Sequence, residues 1–258
     1  MSTISGLGLV LMVLMIIIGG KQGWKSFLSI ILNFGFLFMA VVMIAFHLPT
    51  LPVTLFTGVV ILAITIFMGE DDLMTTQTAF YASLIVLIIL ILLIIPVEHF
   101  AMVQGFGEED AEDLEGMSLF IGINFVDVAI TTTVLSTLGA IAEAAMAISA
   151  GLTEIIEKHP DSTDKQLFRS GLSVGESIIG TTFNTLFFGF FGGFLALFIW
   201  FAGLGYSFGS IVNNKIFVSE MIMILVSFVG VILTVPITSL VMSKRKNKVD
   251  VDSTSKKE

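Results

Sequence analysis

The sequence predicts an all-α protein, a polytopic transmembrane bundle of about seven spans with one cytoplasmic amphipathic helix. Composition points there first. The chain is 55% hydrophobic and 13% charged, with a mean hydropathy of +1.01, whereas soluble domains run near ~25% charged. Length comes second, because several apolar runs reach the ~20 residues that a membrane-crossing helix needs. The third observation is the clustering of lysine and arginine at alternate connections, as the positive-inside rule requires. Only helices or closed barrels satisfy the backbone in lipid, and the two-residue alternation of barrel strands is absent.

The elements follow in order. An apolar stretch at 4–20 opens the chain. It lacks a basic leading region and a small-residue cleavage site, so it reads as a retained first span rather than a signal peptide. Lys21, Trp24 and Lys25 separate it from a second span at 26–46. The connection HLPTLP carries two prolines and stops the helix. Spans at 51–68 and 78–97 follow, the latter ending near Pro96. Residues 1–97 thus form four N-terminal helices. An acidic extracytoplasmic loop at 98–117 comes next, with seven acidic residues and no Lys or Arg. Residues 118–242 form a core of three spans, with a fifth span at 127–156, a sixth at 180–204 and a seventh at 219–242. Between the fifth and sixth, Asp161 or Ser162 caps an amphipathic helix at 163–178 that lies along the membrane surface. The tail 243–258 is basic, then mixed, and is expected to be disordered.

Seven spans place 21–25, 158–170 and the tail on one side, with every Lys and Arg except Lys215. That side is therefore cytoplasmic, with the N-terminus outside and the protein multi-pass in the plasma membrane. The chain has no cysteine, which excludes disulfides and thiol chemistry. No phosphate-binding loop, dinucleotide fingerprint, zinc spacing or nucleophile elbow is present. No enzyme activity and no cofactor are expected. The basic cluster Lys244, Arg245, Lys246, Lys248 follows a span directly, so it reads as a membrane anchor and not as a nucleic-acid contact.

The sharpest signal is Glu143, inside an apolar run. An acid at a helix centre is penalised by roughly 2.5–3.5 kcal/mol on insertion scales. Gly139, Glu143, Ala147 and Gly151 recur every four residues and form one small-residue stripe, which lets helices approach at the backbone. The polar start of the sixth span, with Thr181, Asn184 and Thr185, offers hydrogen-bonding neighbours. Two readings stay open: a carboxyl that binds and releases a proton, or a neutral glutamate that clips helices together. Asp127 is a secondary candidate near the outer boundary. Glu98 with His99, and His47, read as interfacial residues. The acidic run from Glu108 to Glu115 reads as a solvated loop, because calcium-loop spacing is missing. The phenylalanines around Gly189, Gly192 and Gly193 read mostly as lipid-facing bulk.

The stretch GAIAEAAMAISAGLTEIIEKHP, continued by FRSGLSVGESIIGTTFNTLFFGFFG, resembles the YibE/F family of bacterial membrane proteins. SEMIMILVSFVGVILTVPITSL is similar to that family's last helix. The resemblance covers about 100–242 and is sharpest over 139–191, while the first hundred residues match only in hydropathy. The family usually carries Asp in a pattern like GAIMD where this chain has Glu143, so the carboxyl is kept and is one methylene longer. More distantly, the last three spans are similar in order to one half of RND-type and SecD/SecF-type membrane domains, where such an acid takes part in proton coupling between two related halves.

Together these readings lead to an expected proton-linked transporter or permease component, embedded in the lipid bilayer as a homodimer or with a related YibE/F-family subunit. The alternative is a non-transporting membrane subunit or scaffold, with Glu143 as a structural contact.

Overall fold

The computed structural model describes residues 3–103 and 124–255, with side chains through residue 246. Among these residues every regular element is a helix. In order they are α1 (Thr3–Ala45), α2 (Thr50–Gly69), α3 (Leu73–Ala101), α4 (Phe125–Lys158), α5 (Asp164–Gly193), α6 (Leu195–Gly203), α7 (Phe208–Val212) and α8 (Lys215–Ser255). Five of them, α1, α2, α3, α4 and α8, are long and apolar enough to cross a membrane. The pair α5 and α6, bent by 50° at its junction, makes a sixth candidate.

Two of the expected boundaries move. The first pair of expected spans lies inside α1, interrupted at Gly20, whose φ of 57° and ψ of -129° are not helical. The bend is sharp: a Cβ on Gly23 would sit 1.8 Å from the Met15 carbonyl oxygen, so only glycine fits there. The expected amphipathic helix at 163–178 and sixth span at 180–204 are instead one continuous helix to Gly193, followed by the bend and α6. Nothing between 178 and 180 stops a helix, whereas the Gly192–Gly193 pair does. The cap of α5 is Thr163, not Asp161 or Ser162. Its side chain accepts from the Gln166 amide and the Gln166 side chain reaches back to the Thr163 amide, which satisfies two otherwise orphaned donors.

At the other end of the chain, the expected disordered tail from 243 is helical backbone through Ser255. Ser243 and Lys246 are buried. Lys246 donates to the carbonyls of Pro160 and Ser162, the latter at 2.6 Å. Arg245 bonds Gln77 and stacks over the Tyr81 ring at 5.6 Å. These contacts tie the end of the last span to the starts of α3 and α5. Lys25 pairs with Asp71 at the same end of the bundle. The end that collects these cations is called the basic end below.

Helix α4 is the hub, packing against α2, α3, α5 and α8. Polar stitches fix its register: Thr54 with Thr131 at 2.8 Å, Thr75 with Thr153 at 2.9 Å, and Thr133 donating to Glu98 at 2.7 Å. The main apolar core lies between α2, α3 and α4, around Leu62, Ile66, Val86, Leu90, Leu138 and Ile141. Helix α5 meets α8 through two glycines one turn apart. A Cβ on Gly171 would lie 2.1 Å from the Ser239 hydroxyl, and one on Gly175 2.2 Å from a Val235 methyl. Such spacing lets two helices touch at the backbone.

Two predictions follow from this packing. Gly171→Ala and Gly175→Ala are each expected to lower stability by about 1–3 kcal/mol through overpacking. Gly139→Ala, where nothing lies within 4 Å, is expected to leave it unchanged or raise it. Thermal unfolding of the three variants in detergent gives the comparison. The second concerns Asp72, which caps α3 by accepting from the Thr75 amide at 2.7 Å. Burial pushes its carboxyl up, but bonds from Thr75 and the Met74 amide outweigh burial and hold it below its ordinary value of 3.8. Asp72→Ala is expected to cost about 0.5–2 kcal/mol. Because the folded value is the lower one, the cap's charge-dependent contribution is complete above the unfolded value and fades as pH falls through the folded value. An unfolding series against pH is expected to show less acid sensitivity in the variant.

Candidate functional site: a polar face on α4 and α5 and a carboxyl inside the bundle

One face of α4 is left open by its four neighbours. It exposes Thr132, Ser136, Gly139, Glu143, Ala147 and Ala150. No large hydrophobic side chain of α4 is exposed, whereas α1, α2, α3 and α8 all present exposed Leu, Ile, Val or Phe. The face thus differs in composition from the exposed surfaces of the other long helices. Glu143 sits near its middle. Among the described residues it makes no hydrogen bond and no ion pair. Three residues of the expected stripe, Gly139, Glu143 and Ala147, lie in the open, while Gly151 packs on Val174 of α5.

The adjoining face of α5 is polar over 177–185 and gives way to exposed Phe187 and Phe188 beyond it. Ser177, Gly180, Thr181, Asn184 and Thr185 are exposed. The antiparallel contacts of α4 with α5 run from Gly151 beside Val174 to Ser136 beside Thr185. Glu143 lies between these two points along α4, as Thr181 does along α5. Thr181 donates to the Ile178 carbonyl and Thr185 to the Thr181 carbonyl, each at 2.9 Å within α5. The expected neighbours are therefore exposed on the adjoining helix, without a direct bond to Glu143.

Ser136 and Thr185 also line a groove of ≈ 320 Å³ that extends to α8, where Glu220 and Ser227 complete its polar wall. Glu220 is half-buried and was not singled out from sequence. Its only signal was an acid one residue inside the last expected span. Part of the phenylalanine cluster closes the groove: Phe190 is buried and packs against Phe194, Phe198 and Phe217. Those rings are not simple lipid-facing bulk.

A second acid lies inside the bundle. Glu98 is not at the start of a loop, because α3 continues through Pro96 to Ala101. It is 1% exposed, accepts from the Thr133 hydroxyl through Oε1, and has no partner at Oε2. Its place is legible in the spacing, since Leu87, Ile91, Ile94 and Glu98 continue one buried stripe. Pro96 does not end the helix as expected, so the acid stays inside the packed length of α3.

Three weaker candidates meet at the end of the bundle opposite the basic end. His47, His99 and Asp127 line one cleft of ≈ 440 Å³ with Asn124. His47 adopts a left-handed backbone, φ 63°, in the turn between α1 and α2. His99 is bonded by Nδ1 to the Ile95 carbonyl at 3.2 Å. Among the described residues no group of three or more His, Asp or Glu is arranged to hold a metal. The acidic run Glu108–Glu115 lies outside the described residues.

Fold and site thus define an integral, multi-pass helical membrane protein with its polar groups gathered along α4. The chain belongs to the YibE/F-like protein family, whose match spans residues 7–248. The match takes in the first hundred residues as well, so the N-terminal helices belong to the family unit and share more with it than hydropathy. No curated protein and no solved structure matches the chain.

Since Glu143 holds no partner within the subunit, Glu143→Gln is expected to leave the unfolding temperature of the detergent-solubilised monomer unchanged. A drop comparable to that of Gly175→Ala would show a contact within the subunit that the fold does not display.

Proposed function

We propose that the chain is a proton-linked transporter or permease component of the plasma membrane, and that it works as a homodimer or beside a related subunit joined through the open faces of α4 and α5. The observation that carries this reading is the exposed face of α4, small and polar throughout, with an unpartnered carboxyl near its centre. In lipid that face is unfavourable, since a charged acid at bilayer depth costs several kcal/mol. Against another helix it is favourable, because Gly139 and Ala147 permit close approach. Glu143 then lies in a subunit interface, with Ser136, Thr181 and Thr185 around it. Ionisation there places charge between two packed helices and favours a different packing, which is what proton coupling requires.

The basic end of the bundle is read as cytoplasmic, and the His47–His99–Asp127 cleft as facing out. Seven crossings result if α1 is counted as two spans about Gly20 and α5 with α6 as one. A second reading, a non-transporting subunit in which Glu143 is only a helix contact, is favoured by the same small-residue stripe.

The native chain has no cysteine, so a single Ala147→Cys variant reports the interface cleanly. It is expected to form a disulfide-linked dimer in membranes under mild oxidation if two copies meet there, and its failure to do so removes the homodimer form of the proposed interface. Infrared titration of Glu143 in nanodiscs, read against Glu143→Gln, separates the two functional readings. A carboxyl that titrates across the physiological pH range supports proton coupling. One that stays protonated throughout supports the structural role.

A further inference from the structure

We propose that Glu98 and Thr133 form a second, internal proton-binding site, separate from Glu143, in which Glu98 is held as the neutral acid at neutral pH. The geometry requires a special state for this carboxyl. An ionised carboxylate offers about four acceptor positions. Here one is met, by the Thr133 hydroxyl at 2.7 Å, and Oε2 is buried without a partner. The residue is 1% exposed, and leaving a bare charge in such surroundings is far more unfavourable than leaving a neutral hydroxyl unpaired. The neutral acid needs less: its carbonyl oxygen takes the Thr133 bond, and only one O–H remains to be met.

The groups that could offset a charge do not reach it. From α4 the residue facing Glu98 is Thr133, which is neutral. On α3 itself His99 is exposed and turned to the Ile95 carbonyl. His47 and Asp127 face the cleft, and Glu220 of α8 faces the groove beside Ser136. The ion pairs Lys25–Asp71 and Lys158–Glu154 involve other residues. No cation stands ready to neutralise Glu98, so a proton is the simplest ligand that does. The site also has a source of protons close by. Ile95 and His99, which flank Glu98 in α3, and Ile130, one turn from Thr133 in α4, line the far-end cleft. Protonation of Glu98 and of Glu143 are therefore two events in different places, one inside the subunit and one on its open face.

The test uses the full chain in nanodiscs and reads the infrared carbonyl stretch of carboxylic acids at neutral pH. Wild type is expected to show such a band. Glu98→Gln is expected to remove a component of it that Glu143→Gln leaves in place. Thr133→Val, which removes the bonded hydroxyl, is expected to shift it to higher frequency. No acid band in wild type, or a band untouched by Glu98→Gln, overturns the proposal. If Glu98→Gln does not fold, Thr133→Val decides: a band that does not move overturns it as well. The Glu143→Gln arm keeps this outcome distinct from the interface reading, whose homodimer form is tested separately by cross-linking through position 147.

Discussion

The contact between α5 and α8 at Gly171 and Gly175 decides how the rest of the polar chemistry is displayed. The two glycines bring Ser239 and Val235 so near that no other side chain fits. Once that edge of α5 is turned inward, its rotation is set. The residues on the opposite arc, Ser177, Thr181 and Asn184, must then face away from the bundle. Helix α4 is fixed in turn by Gly151 against Val174 of α5 and by its threonine pairs to α2 and α3. Its one remaining free face holds Glu143. The open polar surface is thus a consequence of where the close packing lies, and it cannot be closed by rotating either helix without losing that packing.

Three acids of the long apolar helices are met in three different ways. Glu98 is enclosed, with one hydroxyl bonded to it. Glu220 sits half-buried in a groove beside Ser136, Thr185 and Ser227. Glu143 lies fully on the subunit surface among small residues. Enclosure differs most between Glu98 and Glu143: the first is 1% exposed, and the second lies among small residues with no lining of its own.

Much of the fold was legible from residues alone. The helix-only architecture followed from hydropathy and length, and the hub helix at 127–156 was placed within two residues of its observed ends. Boundaries failed where a residue's usual role was overridden by context. Pro96 was read as a stop, yet α3 continues for five residues beyond it, because a proline on an exposed face of a packed helix loses only one hydrogen bond. That single misreading moved Glu98 out to the surface. The surface-lying helix at 163–178 was inferred from mixed polarity, but the glycines at 171 and 175 were the better signal, since small residues one turn apart mark helix contact in a membrane protein. The polar stripe of α4 was visible in the sequence. That it faces outward was not, because periodicity tells which residues share a face and not which neighbour covers it.

That distinction bears on Glu143. A pattern of small residues around a carboxyl reads equally well as a closed contact within the subunit or as a docking face. The fold separates these possibilities by using up α4's other sides. Helices α2, α3, α5 and α8 already occupy them, and Gly69 of α2 packs on Met146 while Val174 of α5 packs on Gly151. Between those two contacts runs a corridor, bordered by α2 and α5 and floored by Ser136, Glu143 and Ala147. Among the described residues only the Thr132 end of that face has a further neighbour, α1, which lines a cavity with it. A helix laid along the rest would have to tolerate a carboxyl at its centre and could come close over Gly139 and Ala147.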